Sequence, residues 1–522
     1  MSSYENWSKE DLISRIKQLE SQGSVAQSQK ISQRQASPSR TQPQHRSFHF
    51  ASHPRRKIAL KFCYSGWEYN GLAFQTGPTP LPTVEGVLFD ALAQARLIDP
   101  SAGFEGCGWE KCGRTDRGVS AAGQVISLWV RSALSSGVEE PDPQPPASPN
   151  STSPSTKPDT SDESSETILD DDAFGSLDLD DDSPSQNTSI PSTSSRPELA
   201  YVTILNRILP ASIRVLAWSP VSPSFSARFA CKFRHYKYFF SSENLDIPKM
   251  QEAASRLLGD HDFRNLCKVD AGKQITVFVR KILKAEIVPV DGDDTTPKMH
   301  VLNLVGTAFL YHQVRHIMAV LFMVGRGLEK PSVVTSLLNV HEGAEIGREG
   351  ETLEVVESKP EYQMADGLPL VLWDCGYSED DVDWRVDGYE AEPAGSQTKV
   401  TPKEGSESSS EDGRGLYHLL HSIHARSQIF TTLNRHFLTA ASIFFSPPWA
   451  LTLTGEIGVQ GGPVVSYEVP LGGGSSRKLG QYIPLLKRGR LDPVEVINER
   501  WKLGKGSRRE IRKKAIQDEG DE

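Results

Sequence analysis

The chain has 522 residues, a formal net charge of -10, 37% hydrophobic and 24% charged residues, 41 Gly and 34 Pro. That length suits two or three domains with a sizeable core, while frequent Pro, Ser and Asp mark part of the chain as unable to fold. No run of 18 or more apolar residues occurs, which excludes a transmembrane helix, and MSSYENWSKEDLISR lacks the basic-then-apolar order of a secretory signal. Six cysteines (Cys63, Cys107, Cys112, Cys231, Cys267 and Cys375) are scattered without a CxxC pair. Neither a disulfide framework nor a zinc ribbon is expected, and a reducing compartment, nucleus or cytoplasm, follows.

The acidity is local. Residues 139–182 carry fourteen Asp or Glu against one Lys, and residues 378–413 carry eleven acids against three bases. Without these two stretches the remaining chain has a net charge of +11. A basic folded body with acidic insertions suits a polyanionic partner, although charge alone carries no specificity.

In chain order, residues 1–54 begin with a capping box, Ser8 with Asp11, and a short helical repeat of Leu12, Ile16 and Leu19. A Ser/Gln-rich stretch expected to be disordered follows. Residues 55–131 open with a strand alternating Ile58, Leu60 and Phe62, which ends in a Gly/Asn turn. An amphipathic helix follows, with Val84, Leu88, Ala91, Leu92 and Ala95 on one stripe, and then a strand at 123–130. Residues 132–197 read as an acidic disordered insertion. Residues 198–377 resume with LAYVTILNRILP and continue with strands IRVLAWSPV and FRHYKYFF and a helix KMQEAASRLLG. A strand pair, ITVFVRKILKAEIVPV with KMHVLNLVGTAFL, comes next, then a buried helix QVRHIMAVLFMVGRG and a closing strand LPLVLWDCGY. Residues 378–414 read as an acidic linker, 415–500 as a helical extension opening with a long helix that carries four histidines, and 501–522 as a basic tail. Strands interleaved with helices in two blocks of similar content imply an α+β body with two halves.

The densest chemical signal is KCGRTDRGVSAAGQVISL, residues 111–128. Gly113 and Gly118 let the backbone turn sharply around Arg114, Thr115 and Asp116 just before an apolar strand. A carboxylate flanked by Arg114 and Arg117 stays ionised at neutral pH, as a nucleophile or general base requires. An Asp that merely caps its own turn fits the same spacing. Elsewhere, His312 and His316 stand at i, i+4 as a zinc pair would, but without an HExxH context they read as structural histidines. Cys107 and Cys112 lack a second pair to complete a metal site, and they read as small buried thiols.

GRTDRGVSA resembles the signature loop of the TruA family of tRNA pseudouridine synthases. Bacterial members usually carry His where this chain has Ser120, and the Ser form after CGRTD is similar to the eukaryotic branch acting on tRNA positions 38 and 39. FSARFACKFRHYKYFF, FLYHQVRHIMAVLFMVGRG and DGLPLVLWDCGY resemble further family segments in the family's order. GDHDFRNLCK and YIPLLKRGRLDP look like segments of the position-38/39 branch.

The resemblance implies two ferredoxin-like halves forming one continuous antiparallel sheet, with a central active-site cleft. It implies Asp116 as the catalytic nucleophile and Arg114 as the residue that fills the space of the flipped-out base. Tyr236 would pack on the target uracil, Arg315 would pair with Asp116, and Leu368 or Leu370 would lie under the ring. Tyr238 reads as core. The isomerisation is redox-neutral, so no cofactor and no metal is expected. The implied partner is the tRNA anticodon stem-loop rather than a membrane. Bacterial members are homodimers, which leaves dimerisation of this longer chain open. Two rival readings remain: a non-catalytic RNA-binding protein that kept the fold, which has no need of all four polar residues, and a glycoside hydrolase, which would want a second carboxylate.

Overall fold

The structure is a computed structural model that describes residues 48–134, 198–290, 298–386, 415–445 and 467–508. The capping-box helix near Ser8, the stretch after it, most of both acidic segments and the end of the basic tail lie outside these residues.

Strand β1 (Arg55–Tyr64) carries the alternating apolar residues. Helix α1 (Val84–Gln94) begins at Thr83, whose hydroxyl accepts from the Gly86 amide, and buries Val84, Leu88, Ala91 and Leu92. The short strand β2 (Glu110–Lys111) and the long strand β3 (Ser120–Arg131) flank the Asp116 loop. Then come α2 (Tyr201–Ile208), β4 (Ile213–Pro220), β5 (Phe233–Ser241), α3 (Ile247–Ser255) and β6 (Gly259–Asp262). Strands β7 (Val279–Pro289) and β8 (Met299–Gly306) form the expected antiparallel pair. Helices α4 (Gln313–Gly325) and α5 (Val333–Leu338) precede β9 (Leu370–Gly376). The C-terminal part holds α6 (Leu416–Ser442), a hairpin of β10 (Tyr467–Gly472) and β11 (Ser475–Leu479), and α7 (Val494–Trp501).

Strands β1 to β9 form one nine-stranded sheet in the order β4-β1-β3-β9-β5-β8-β7-β6, with β2 beside β3. The pairings are antiparallel except β3 with β9, which run parallel over only Ser120–Val371 and Ala121–Leu372. The mostly antiparallel sheet with its helices gives the expected α+β class.

Buried side chains gather in two clusters. One joins β1, β3 and β4 to α1 and α2, and the other joins β5, β7 and β8 to α3, α4 and α5. β9 feeds both, with Leu370 in one cluster and Leu372 and Cys375 in the other. Helix α4 is buried along almost its whole length, because apolar residues cover every face from Val314 to Val324.

Two boundaries differ from the sequence reading. The acidic linker does not begin at 378. Trp384 and Val382 pack on the first cluster, and Arg385 exchanges backbone hydrogen bonds with Trp218 at 2.8 and 3.0 Å. Two apolar side chains inside an acidic run thus hold it to the edge of β4. Nor is 415–500 uniformly helical. α6 has no buried residue, whereas Val469, Leu485 and Val494 join the second cluster and Tyr482 donates to the Glu329 carboxylate at 2.5 Å. LGGGSS forms the turn of the β10–β11 hairpin, where Gly472, Gly473 and Gly474 all adopt positive φ. Among the described residues no helix is long and apolar enough to cross a membrane.

Candidate active site

The Asp116 loop is fastened from several sides before any catalytic group is considered. At its root, the buried Glu85 carboxylate accepts from Lys111 Nζ at 2.5 Å, Trp109 Nε1 at 2.8 Å and the Phe74 amide at 2.8 Å. A buried carboxylate with three donors ties the start of α1 to β2. Further along, Gln124 Nε2 donates to the Gly113 carbonyl at 2.9 Å, and the Tyr64 and Thr115 hydroxyls meet at 2.6 Å. Burial pushes the Tyr64 phenol well up, so it stays protonated and keeps that bond.

The loop closes with Val119 N donating to Asp116 O at 3.1 Å, and Gly118 at φ +83° occupies the third position of that turn. Of the two glycines singled out in the sequence, only Gly118 uses its conformational freedom. A third glycine matters more. A Cβ on Gly66 would lie 2.1 Å from the Val119 carbonyl oxygen, so the β1 end can pass under the loop only without a side chain. The Gly66 amide donates to Ser120 Oγ at 2.9 Å, a contact that depends on the Ser at this position.

The Asp116 side chain is 28% exposed and faces two cationic or polar groups from α4. His312 Nε2 lies 3.1 Å and Arg315 Nη1 3.9 Å from Asp116 Oδ2. Arg315 also donates through Nε to the Ala365 carbonyl at 2.8 Å, and the Ala365 amide donates back to the Arg315 carbonyl at 3.1 Å. Arg315 therefore clamps the 365–368 segment beside the loop. A Cβ on Gly367 would meet the Arg117 carbonyl at 3.1 Å and Arg315 Cζ at 3.7 Å.

The pairing of Arg315 with Asp116 is thus present, and His312 is a closer partner that the sequence reading missed. His312 is the N-cap of α4 at φ +58°, a left-handed conformation that few non-glycine residues adopt. Its ring lies against Tyr311, with centroids 3.8 Å apart. Nδ1 is buried with no hydrogen-bond partner among the described residues, and Nε2 is the ring nitrogen that faces the Asp116 carboxylate. His316 goes elsewhere, within 3.1 Å of Lys359 Nζ. The two imidazoles thus face different partners, Asp116 and Lys359, as structural histidines would. A His312→Asn variant is expected to fold normally, because Asn accepts left-handed backbone. It should slow the single-turnover step by about tenfold or more, since it removes the polar ring that sits 3.1 Å from the carboxylate. An unchanged rate would reduce His312 to a helix cap.

The remaining candidates are placed without touching Asp116 among the described contacts. Arg114 is exposed on the loop. Tyr236 is half-buried on β5, opposite Leu372 of β9, and its ring meets Phe309 edge-on at 4.9 Å. Tyr238 is fully buried and donates to the Asp366 carbonyl at 3.0 Å, so it is core. Leu370 is 4% exposed and belongs to the core, whereas Leu368 is 44% exposed with its amide next to Gly118. Around the site, Lys268 and Lys273 approach the exposed Tyr311 ring at 5.8 and 5.5 Å.

Behind the site, burial first and the Lys359 cation second push the His316 imidazole down to about 2. The unfolded chain takes up a proton near pH 6.5 that the folded chain refuses, so stability falls as pH drops below 6.5, by about 1.4 kcal/mol per pH unit. Urea midpoints at pH 7 and pH 5 should show this loss, and His316→Gln, which keeps an acceptor for Lys359, should shrink it. Equal acid sensitivity in the two proteins would refute the assignment.

Residues 253–378 match a family described as tRNA pseudouridine synthase. The chain is 33% identical over 519 residues to the tRNA pseudouridine(38/39) synthase of Saccharomyces cerevisiae, covering 97% of this chain and 93% of that protein. It is 36% identical to the Homo sapiens protein of the same name, covering 72% of this chain and 68% of that one. The tRNA pseudouridine synthase A of Methanosarcina mazei is 30% identical, with 65% and 91% covered. With an aspartate on a fastened loop facing His312 and Arg315, and relatives of this extent, the chain belongs to the TruA-type tRNA pseudouridine synthases, in their eukaryotic branch.

Proposed function

We propose that this protein isomerises uridine to pseudouridine at positions 38 and/or 39 of tRNA, with the anticodon stem-loop as its substrate. The observation that carries the reading is the Asp116 carboxylate, partly exposed on a rigid loop and held between His312 and Arg315. The names of the yeast and human relatives support the choice of positions.

The chemistry breaks the N1–C1′ bond, turns the detached uracil and joins C5 to C1′; N1 gains a proton and C5 loses one. Asp116 either attacks C1′ or promotes deprotonation at C2′, and it needs to be ionised and fixed to do so. The target base must leave the stack, at a cost of about a few kcal/mol. Arg114, exposed at the loop, fills the vacancy. Tyr236 lies against the uracil face, and Leu368 supplies the apolar contact under the ring, because Leu370 is committed to the core. Lys268, Lys273 and Arg117 contribute phosphate contacts.

In this reading the nine-stranded sheet is two ferredoxin-like halves, with the active-site cleft over the β3–β9 seam. Two separate core clusters, bridged by β9, support it. A nuclear and cytoplasmic location is part of the same proposal, supported by six free thiols. The decisive experiment incubates unmodified tRNA transcripts with the protein and maps pseudouridine by base. Product at 38 or 39 is expected, and its absence with active protein would defeat the reading.

A further inference from the structure

Six cysteines scattered through the chain read as isolated thiols, yet the fold brings three of them to one point. Cys112 directly follows β2, Cys231 lies just before β5, and Cys375 is on β9. Their sulfurs all lie within 4.8 Å of one another, and all three residues are buried. The other buried thiols behave differently: Cys107 and Cys267 each donate to a carbonyl three residues back, Phe104 O and Arg264 O. Cys231 has a carbonyl acceptor, Phe233 O at 3.1 Å, but the polar neighbours of Cys112 include the other two sulfurs and the Tyr377 hydroxyl.

The surroundings have the charge such a cluster needs. Arg234, directly opposite Cys375 in the β5–β9 register, places its guanidinium on the carbonyls of Cys112, Arg228 and Thr307 at 2.8 to 3.0 Å. Its charge acts on all three sulfurs. Three thiolates around a divalent cation carry a net charge of -1, which one guanidinium neutralises. Zinc–sulfur bonds of about 2.3 Å place tetrahedral sulfurs about 3.8 Å apart, within the spread seen here.

We infer that Cys112, Cys231 and Cys375 bind one Zn2+ as thiolates, with a water in the fourth position, and that this site anchors the root of the Asp116 loop to β5 and β9. Binding releases three thiol protons and forms three Zn–S bonds, with no change of oxidation state. The metal takes no part in the isomerisation. Its role is to fix Cys112, four residues before Asp116, against the strands that carry Tyr236 and Leu372.

The full chain, purified under reducing conditions without chelator, is expected to contain about one zinc per molecule by elemental analysis. Cys231→Ala and Cys375→Ala should lose it, while Cys107→Ala and Cys267→Ala should keep it. Exchange with Co2+ should produce the intense thiolate-to-cobalt absorption of a tetrahedral site. If the variants fail to fold, alkylation of the wild-type protein with iodoacetamide decides: Cys112, Cys231 and Cys375 should be protected together and exposed together after chelation. A folded wild-type protein that holds no zinc and takes up no cobalt overturns the inference. So does zinc that survives loss of Cys375, or a disulfide between two of the three.

Discussion

Replacing Asp116 with Asn is expected to lower pseudouridine formation by about a thousandfold or more, a loss of about 4 kcal/mol of transition-state stabilisation. Asn has the size and hydrogen-bonding reach of Asp, so the turn closed by Val119 N and the loop fastenings from Tyr64, Gly66 and Gln124 should survive. Binding of tRNA depends on the basic surface and should change by no more than about twofold. Single-turnover assays with excess enzyme, paired with a binding isotherm, separate the two quantities. A variant that turns over normally would remove Asp116 from the chemistry, and one that also stops binding would show that the loop had moved.

Arg315→Leu should be nearly as damaging and should fail in a different way. Leucine is a good helix former in a helix this apolar, but it removes the Nε donor from the Ala365 carbonyl and the guanidinium beside Asp116. Leaving a partly buried carbonyl unpaired costs about 1–3 kcal/mol, which a thermal or urea midpoint should register. With the 365–368 segment unclamped, Leu368 and Asp116 lose their fixed relation, and the single-turnover rate should fall about a hundredfold or more. Arg315→Lys should recover little, because an ammonium restores the charge but not the two-sided geometry. Full activity at saturating enzyme would mean that Arg315 serves only to hold RNA.

What could be read from the sequence follows the range of the interactions. GRTDRG was legible because its turn, its charge pattern and its following strand are all local; α1 announces itself by periodicity, and α4 by an almost unbroken apolar run. Arg315 came through a resemblance, since nothing in QVRHI itself says that the guanidinium reaches back to residue 116. His312 could not be assigned by spacing. Its orientation depends on a left-handed N-cap, and a helical count through that residue pairs it with His316 instead. The gathering of Cys112, Cys231 and Cys375 is a property of the β2–β3–β9–β5 arrangement, which no separation along the chain foretells. Leu368 and Leu370 read alike in sequence because, two apart on one strand, they would share a face; β9 begins only at Leu370, opposite the buried Tyr238, and leaves Leu368 in the turn before it.

The late arrival of β9 has a bearing on synthesis. The strand enters the middle of the sheet between β3 and β5, so the nascent chain carries an open gap at that position until residue 376 has emerged. Until then β3 and β5 have unpaired inner edges, the first cluster lacks Leu372 and Cys375, and the Arg315 clamp has no Ala365 to hold. Long-range pairing of this kind is slow and comes after local structure. The aspartate is made early, but it becomes a site only when the last central strand closes the sheet. A chain cut short before β9 therefore carries the reactive carboxylate with no means of using it, and its two bare strand edges mark it for removal.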